Sequence, residues 1–234
     1  MGQAQAAPRR RPSDGGYARG EETRLRIIAT AIPLFGEKGF DGVSTREIAT
    51  EAGVNPPALQ YYFDSKEGLY RACGEHIADQ VAEAVLPAVE RGERLLAEDA
   101  PASALIDAYC AVMESLGDLL FGEAEESGWS AFFATEQAGF GACSALSLMR
   151  ERFVDRMLDV NAGVIGRLMG KSPDDVEIRI RSQAIEGQLK IFHLGRRALI
   201  ECLGWETIAP EHGRMIKSIA VEQTRTLLKS LVKA

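Results

Sequence analysis

The sequence predicts an all-α protein in which a short N-terminal unit precedes a larger helical domain. Apolar residues recur at three- and four-residue spacing through most of the 234 residues, and strand-like alternation is absent. The chain is 46% hydrophobic and 26% charged, so burial of its apolar surface can offset the loss of chain entropy. It contains no uncharged apolar run of the roughly 18 residues that a membrane span needs. We therefore expect a soluble cytoplasmic protein.

The first predicted element is a helix that follows a flexible basic arm. Residues 1–20 are rich in Gly, Pro, Gln and Arg and lack apolar periodicity, so they are predicted to form the arm. The helix is expected from Glu21 and should end at Gly39, which can adopt a left-handed cap. Its apolar residues at helical spacing are Leu25, Ile28, Ile32 and Phe35.

Two short helices are predicted next, and their ends carry capping signals. Ser44 can accept a hydrogen bond from the third amide of the first short helix, while Glu47 reaches back, as in a capping box. Gly53 should end this helix. Asn55 is a good N-cap for the second short helix, residues 56–63, which starts with two prolines whose missing amide donors cost nothing at that position.

The remaining chain is predicted to be helical throughout. Ser65 should cap a long helix that runs to Pro87 or slightly beyond. In the later segments, glycine and proline residues separate one helix from the next. The later helices are placed near residues 101–121, 128–138, 142–170, 173–203 and 210–233.

The two short helices and their turn have the arrangement of a helix-turn-helix, whose second helix enters the DNA major groove. Ile48, Ala49, Val54, Leu59 and Phe63 would lock the two helices together. Gln60 is expected to bond an adenine edge, Ala58 to meet a thymine methyl, and Lys66 to bind a backbone phosphate. The full set of candidate DNA contacts is Thr45, Arg46, Asn55, Pro57, Ala58, Gln60, Tyr61, Tyr62 and Lys66.

The charge distribution is compatible with a small DNA-reading module on an acidic body. The net charge of −7 argues against a protein that coats nucleic acid non-specifically. Residues 1–62 carry 8 Lys and Arg against 7 Asp and Glu, whereas residues 71–234 carry 18 against 25. The three arginines at 9–11 could be a solvated tail, or they could lie in the minor groove beside the recognition helix.

Residues 44–72, STREIATEAGVNPPALQYYFDSKEGLYRA, closely resemble the TetR family of bacterial transcriptional regulators, and the likeness extends over residues 23–77. The three helices, the turn and the Tyr-Phe-x-Ser-Lys-Glu exit agree in order and spacing. Family members usually have Lys-Gly where this chain has Pro56 and Pro57, and Tyr where it has Gln60. These differences would alter the phosphate contacts and would reflect the operator sequence that the protein reads.

Two later stretches are similar to the CecR-like subgroup of the same family. They are FFATEQ at residues 132–137 and GQLKIFHLGRRALIECLGW at residues 187–205. The resemblance implies a repressor that responds to small toxic or antibiotic-like molecules.

Aromatic and methionine residues scattered over the middle helices could be an ordinary core or could line an effector pocket. Polar residues on otherwise apolar helices favour the pocket slightly. The expected ligand is a mostly apolar molecule of drug-like size. The candidate lining residues are Met113, Leu116, Leu120, Trp129, Phe132, Phe133, Gln137, Phe153, Met157, Gln183 and Glu186.

The last two predicted helices each carry one apolar stripe more than a single subunit needs, which a symmetric four-helix contact between two copies would bury. Alternatively, both stripes pack within one subunit. Other apolar residues, Ile185, Leu189 and Leu228, could face the subunit's own core. The candidate interface residues are Ile180, Ala184, Gly187, Ile191, Ile216, Ala220, Gln223 and Leu227.

No pattern points to catalysis, a cofactor or a metal. The four cysteines lie far apart without a Cys-x-x-Cys pair, so idle or buried thiols are expected. Gly170-Lys171-Ser172 resembles the end of a phosphate-binding loop, but Ile165 stands where that loop requires glycine. A helix cap is the better interpretation of these three residues.

We therefore expect a homodimeric, ligand-responsive repressor that binds double-stranded operator DNA. Residues 1–20 would form the arm, 21–66 the helix-turn-helix domain, and 67–234 the helical effector-binding and dimerisation domain. A bound effector would tilt the helix that starts at Lys66. Two alternatives remain: an all-α enzyme, for instance with Glu136 and His193 as its titratable pair, and a constitutive DNA-binding adaptor with a vestigial pocket.

Overall fold

The computed structural model describes residues 14–122, 128–137 and 145–232, and within them the chain is helical without a strand, as predicted. A π-helical turn, Arg150–Val154, joins the seventh helix to the eighth. The α-helices of the described residues are α1 (Asp14–Gly42), α2 (Thr45–Glu51), α3 (Pro56–Phe63), α4 (Lys66–Ala97), α5 (Ala102–Phe121), α6 (Trp129–Gln137), α7 (Ala145–Met149), α8 (Asp155–Met169), α9 (Val176–Leu194), α10 (Arg196–Leu203) and α11 (Pro210–Ser230).

Helix α1 begins seven residues earlier than its apolar pattern predicted, at Asp14 rather than Glu21, so residues 14–20 are helical and not part of a flexible arm. The earlier start is physically simple, because each residue added to a packed helix gains a hydrogen bond without a new nucleation step. Gly39 interrupts α1 with φ 72° and ψ 170°, which confirms the predicted break. Residues 1–13, including the three arginines, lie outside the described residues.

Helix α4 is longer than predicted and continues to Ala97. Pro87 is exposed within it, while Val85, Val89 and Gly92 continue the buried stripe on the opposite side. This packing keeps the helix intact past the proline, although Pro87 removes one backbone donor.

The helix predicted over 173–203 is two helices. The Gly195 amide bonds the Ile191 carbonyl at 2.8 Å and ends α9, and α10 begins at the next residue. Gly170 caps α8 in the left-handed conformation with φ 63°, which confirms the helix-cap interpretation of Gly170-Lys171-Ser172. None of the helices in the described residues is long and apolar enough to span a membrane.

Helices α1–α3 form an N-terminal head, and helix α6 of the body packs against it. The Thr135 hydroxyl of α6 donates to the Gly36 carbonyl of α1 at 3.0 Å. The Phe132 ring stacks on Tyr70 of α4 with centroids 4.7 Å apart, and Tyr70 contacts Phe35 of α1 at 4.9 Å. The Tyr70 hydroxyl donates to the Glu136 carboxylate at 2.7 Å. We call this contact of α1, α4 and α6 the head–body junction.

In the rest of the body, α5 lies between α4 and α11, and α8 packs against α4 and α9. The buried side chains of the head and the body form one continuous hydrophobic core. Displacement of a body helix therefore acts directly on the packing of the head.

We expect Gly36→Ala to destabilise the protein by about 1–3 kcal/mol, because overpacking a tight contact forces backbone movement. A Cβ at Gly36 would lie 2.8 Å from both the Ala131 Cβ and the Phe132 amide nitrogen. Urea unfolding measures the change. Gly20→Ala on the same helix is the matched control, since its nearest neighbour would be the Tyr62 hydroxyl at 3.8 Å. Equal stabilities of the two variants would contradict a tight α1–α6 contact.

Candidate DNA-binding helices, body clefts and subunit surface

Helices α2 and α3 are locked together by the apolar residues that the sequence indicated. Ile48 and Ala49 are fully buried, and Leu59 and Phe63 are 4% and 7% exposed. Gly53 turns the chain between the helices with φ 64°, a conformation that glycine adopts without strain. The Val54 amide then bonds the Ala49 carbonyl at 2.9 Å. The result is a rigid helix-turn-helix.

The capping residues of α2 only partly follow the predicted scheme. The Ser44 hydroxyl accepts a hydrogen bond from the Glu47 amide at 3.1 Å, as expected. The Glu47 carboxylate does not complete a capping box; it binds the Lys38 ammonium of α1 at 2.5 Å. The hydrogen bond from Lys38 lowers the pKa of Glu47. This ion pair fastens α2 to α1.

The outer surface of α2 and α3 carries most of the candidate DNA contacts. Asn55 occupies the N-cap of α3, but its side chain makes no capping hydrogen bond and is exposed. Tyr61 is 82% exposed, which is unusual for so large a ring. Ala58 is half-buried. The exposed members of the set are Thr45, Arg46, Asn55, Pro57, Gln60 and Tyr61.

Two candidate contacts are less available than the sequence suggested. Tyr62 is half-buried, and its ring packs edge-on against Tyr61 with centroids 5.1 Å apart. The Lys66 ammonium lies 4.4 Å from the centroid of the Phe40 ring, a cation–π contact beside the head–body junction. Lys66 is thus held by its own subunit.

Sequence reasoning missed Arg19 as a candidate DNA contact. Arg19 is exposed on α1, immediately before Gly20, where an added Cβ would lie 3.8 Å from the Tyr62 hydroxyl of α3. The first turns of α1 therefore lie beside α3. The sequence carried no signal for this placement, since residues 14–20 lack apolar periodicity.

The expected central pocket is largely filled. Met113, Phe132, Phe153 and Met157 are no more than 2% exposed and Leu116 is 9% exposed; all belong to the continuous core. Leu120, Trp129 and Phe133 are partly buried against that core. Gln183 is exposed, on the outer side of α9. The Gln137 side chain lies outside the described side chains.

Glu186, the last member of the expected pocket, belongs to a buried polar cluster between α5, α8 and α9. Its side chain is fully buried and accepts hydrogen bonds from the Asn161 amide and the Lys190 ammonium, both at 2.9 Å. The Ser182 hydroxyl also donates to it, at 3.5 Å. Burial, reinforced by the charge of Glu186, raises the pKa of Tyr109 far above its usual range, so this phenol stays protonated.

Two clefts in the described part of the body share Asp118 near the end of α5. The first cleft has a volume of about 850 Å³ and lies between the end of α5 and the start of α11. The second has a volume of about 430 Å³ and is bordered by Trp129, the first residue of α6. Asp118 forms an ion pair with Lys217 of α11, another residue of the first cleft. The second cleft shares Trp129 with the expected pocket, whereas the first cleft shares none of its residues.

Helices α9 and α11 each leave an apolar stripe on the surface of the single subunit. On α9, the stripe contains Val176, Ile180, Ile191 and Leu194, which are 62–71% exposed, together with Ala184 and Gly187. An added Cβ at Gly187 would meet no atom within 4 Å. The buried residues Ile185 and Leu189 face inward, as expected. On α11 the exposed stripe contains Met215, Ile219, Gln223 and Leu227.

Ile216 and Ala220 must be removed from the candidate interface. They are 6% and 2% exposed, and with Thr224 and Leu228 they form the buried face of α11, which packs on α5. Met215 and Ile219, one position earlier, occupy the surface instead. Gln223 and Leu227 remain on the surface, so the predicted stripe lay across the boundary between the buried and exposed faces of α11.

The residues of the enzyme alternative lie in different settings. Glu136 takes part in the head–body junction through Tyr70, whereas the His193 ring lies by the backbone of Leu120. Burial lowers the pKa of His193. Cys73 and Cys110 are buried free thiols and Cys202 is an exposed one, while Cys143 lies outside the described residues.

Comparison with known families supports both parts of this architecture. Residues 27–73 match the domain described as "Bacterial regulatory proteins, tetR family". Residues 105–231 match the C-terminal domain of "HTH-type transcriptional dual regulator CecR". Over 215 residues the chain is 29% identical to the dual regulator CecR of Shigella flexneri, covering 91% of this chain and 94% of that protein.

Solved structures show the same fold. AibR in complex with isovaleryl coenzyme A and operator DNA superimposes with a TM-score of 0.58 and 17% identity, covering 86% of this chain and 97% of AibR. FadR from Bacillus subtilis in complex with stearoyl-CoA gives a TM-score of 0.51 and 18% identity, covering 89% of this chain and 97% of FadR.

Proposed function

Because this chain belongs to the TetR family of bacterial regulators and carries a CecR-type C-terminal domain, we propose that it is a homodimeric repressor of transcription. It binds a palindromic operator through α2 and α3, and a small molecule bound to the body releases it. The observation that carries the proposal is the rigid helix-turn-helix whose outward residues, including the free amide of Asn55, remain exposed.

The exposed face of α3 suits a DNA groove. Gln60 offers a donor and an acceptor for an adenine edge, and Pro57 and Ala58 offer small apolar surfaces for a thymine methyl. Arg46 on α2 is exposed, and within the described part of the chain no ion pair or side-chain hydrogen bond holds its guanidinium. A free cation beside the recognition helix can bind a backbone phosphate.

The stripes on α9 and α11 support the proposed dimer. Large apolar residues at 62–71% exposure along one side of α9 would be costly in a monomer. The stripes of two subunits, packed around a two-fold axis, would remove them from water. A dimer would also place two recognition helices on the two half-sites of an operator.

The effector is proposed to bind in the body. AibR and FadR were solved with isovaleryl coenzyme A and stearoyl-CoA respectively, so proteins of this fold accept acylated ligands. The described body contains clefts of about 850 and 430 Å³, and the first is within the usual size range of small-molecule sites. Only a modest coupling of about 1–3 kcal/mol between ligand and operator binding is needed for regulation.

We expect Gln60→Ala to weaken binding to the specific operator by about 1–3 kcal/mol and to relax the preference at one base pair. The cause would be the loss of a paired donor and acceptor at a base edge. Fluorescence anisotropy on the operator and on single-base variants measures both effects. Gln60 is exposed, so thermal stability should stay unchanged. An unaltered footprint and affinity would show that α3 is oriented differently.

We expect Arg46→Ala to weaken binding to all DNA sequences alike and to reduce the slope of log K against log salt by about 1, because one phosphate contact is lost. Lys229→Ala, which removes an exposed cation near the far end of α11, is the control and should leave the slope unchanged. A sequence-dependent loss in Arg46→Ala would assign the residue to a base instead.

We expect Ala184→Glu to convert the dimer to monomers and abolish operator binding, because two unpaired carboxylates would face each other across the two-fold axis. Ala184 is exposed in the single subunit, so the fold should persist, as measured by circular dichroism. Sedimentation velocity gives the oligomeric state. Ala84→Glu adds the same charge at an exposed position of α4 and should remain dimeric. A dimeric Ala184→Glu variant that binds DNA normally would place the interface elsewhere.

A further inference from the structure

The first cleft is bounded by two helix ends and by a linker that comes back over them. The last turn of α5 contributes Gly117, Asp118 and Phe121. The start of α11 contributes Pro210, Gly213, Arg214 and Lys217, while residues 207–209 and Arg196 close the remaining sides. Trp205 stacks on His212 with ring centroids 3.8 Å apart, which holds the linker against α11. The cleft is thus a formed feature of the body.

The described lining of this cleft includes three cationic side chains. Arg196, Arg214 and Lys217 border it, and Asp118 is the carboxylate among the described lining residues. Partial burial lowers the pKa of Arg196, because a guanidinium removed from water loses solvation. The amino end of α11 opens into the same space and adds a partial positive charge.

Arg214 is the cation of the cleft best placed to hold a ligand. It is exposed, and in the described residues no ion pair or side-chain hydrogen bond occupies its guanidinium. Lys217, by contrast, is paired with Asp118. Asp118 is 66% exposed on its side chain, so it can turn to water when an anion approaches Lys217.

Apart from Thr207, the other lining residues are apolar or lack side chains. Phe121 and Ile208 are each 8% exposed, and Pro210 and the three glycines add no polar side-chain group. Gly213 also permits the close approach of α11 to α5, since a Cβ there would lie 2.7 Å from the Phe121 Cβ. A ligand in this cleft thus meets cations on one side and apolar surface on the other.

We propose that the first cleft binds an amphipathic organic anion. Arg214 holds its carboxylate or phosphate, and its apolar chain lies against Phe121 and Ile208. This corrects the expectation of a mostly apolar effector in the middle of the body, because the aromatic residues expected there fill the core. That the anion acts as the effector rests on the proposed function; that it binds does not.

The test is isothermal titration of the DNA-free protein with octanoate, octyl phosphate and octan-1-ol. The three share an apolar chain and differ in the head group. We expect at least one anion to bind roughly tenfold or more tightly than the alcohol, since a charge-assisted hydrogen bond is lost with the neutral head group. The tighter of the two anions identifies carboxylate or phosphate as the preferred group. Equal binding of the alcohol, or no binding of either anion, would overturn the proposal.

Two variants tie the binding to this cleft. Arg214→Gln should weaken the anion roughly tenfold or more and leave octan-1-ol unaffected. Lys229→Gln, a cation removed from the opposite end of α11, should change neither. Unchanged anion affinity in Arg214→Gln would exclude the cleft as the site.

The regulatory role is measured separately, by anisotropy of labelled operator in the presence of the tighter anion. We expect the anion to reduce operator affinity in the wild type and to lose this effect in Arg214→Gln. A protein that binds the anion but never binds a specific DNA would contradict the proposed function and leave the cleft assignment intact. Specific operator binding without anion binding would support the proposed function and contradict the cleft assignment.

Discussion

The packing of α6 against α1 and α4 is the contact on which the connection between head and body depends. At Gly36 the two helix backbones are so close that an added methyl group would lie 2.8 Å from α6. The rings of Phe132 and Tyr70 stack at the same place, and the Tyr70 hydroxyl is held by Glu136. A contact this close leaves little room for sliding, because protein interiors are packed as densely as organic crystals. Movement of α6 therefore has to be followed by α1 or by a loss of packing.

The sequence predicted the head well because its signals are local. Ser44 and Ser65 accept hydrogen bonds from amides three residues ahead, and Gly53 adopts a left-handed conformation, so each signal acts within a few residues. Such interactions do not depend on the rest of the fold. Glu47 was the exception, since its partner Lys38 comes from the preceding helix. The fold class and the family of the body could also be predicted, whereas the roles of its residues could not.

The error on α11 arose because small and polar residues give no hydrophobic signal even when they are buried. Gly213 and Thr224 lie on the buried face of α11, so the apolar residues alone gave a stripe that straddled the buried and exposed faces. The cleft cations were missed for a related reason. Arg196 and Arg214 are 18 residues apart in the sequence, and only the return of the chain through residues 207–209 brings them to one cleft.

The buried polar cluster explains why α9 can present an apolar stripe outward. Glu186 and Ser182 lie on the inner side of α9, where Asn161 of α8 holds the carboxylate. If α9 rotated to bury the stripe, Glu186 would lose its hydrogen bond from Asn161. Its charge would then be left unpaired, which is strongly unfavourable. The inner polar contacts thus fix the rotation of α9, and the exposed stripe follows from it.

The clefts of the body are also connected to the head. Asp118, which pairs with Lys217, borders both clefts, and the second cleft also contains Trp129, the first residue of α6. Thr135, six residues after Trp129 on the same helix, donates to the Gly36 carbonyl, so α6 connects the second cleft directly to the head.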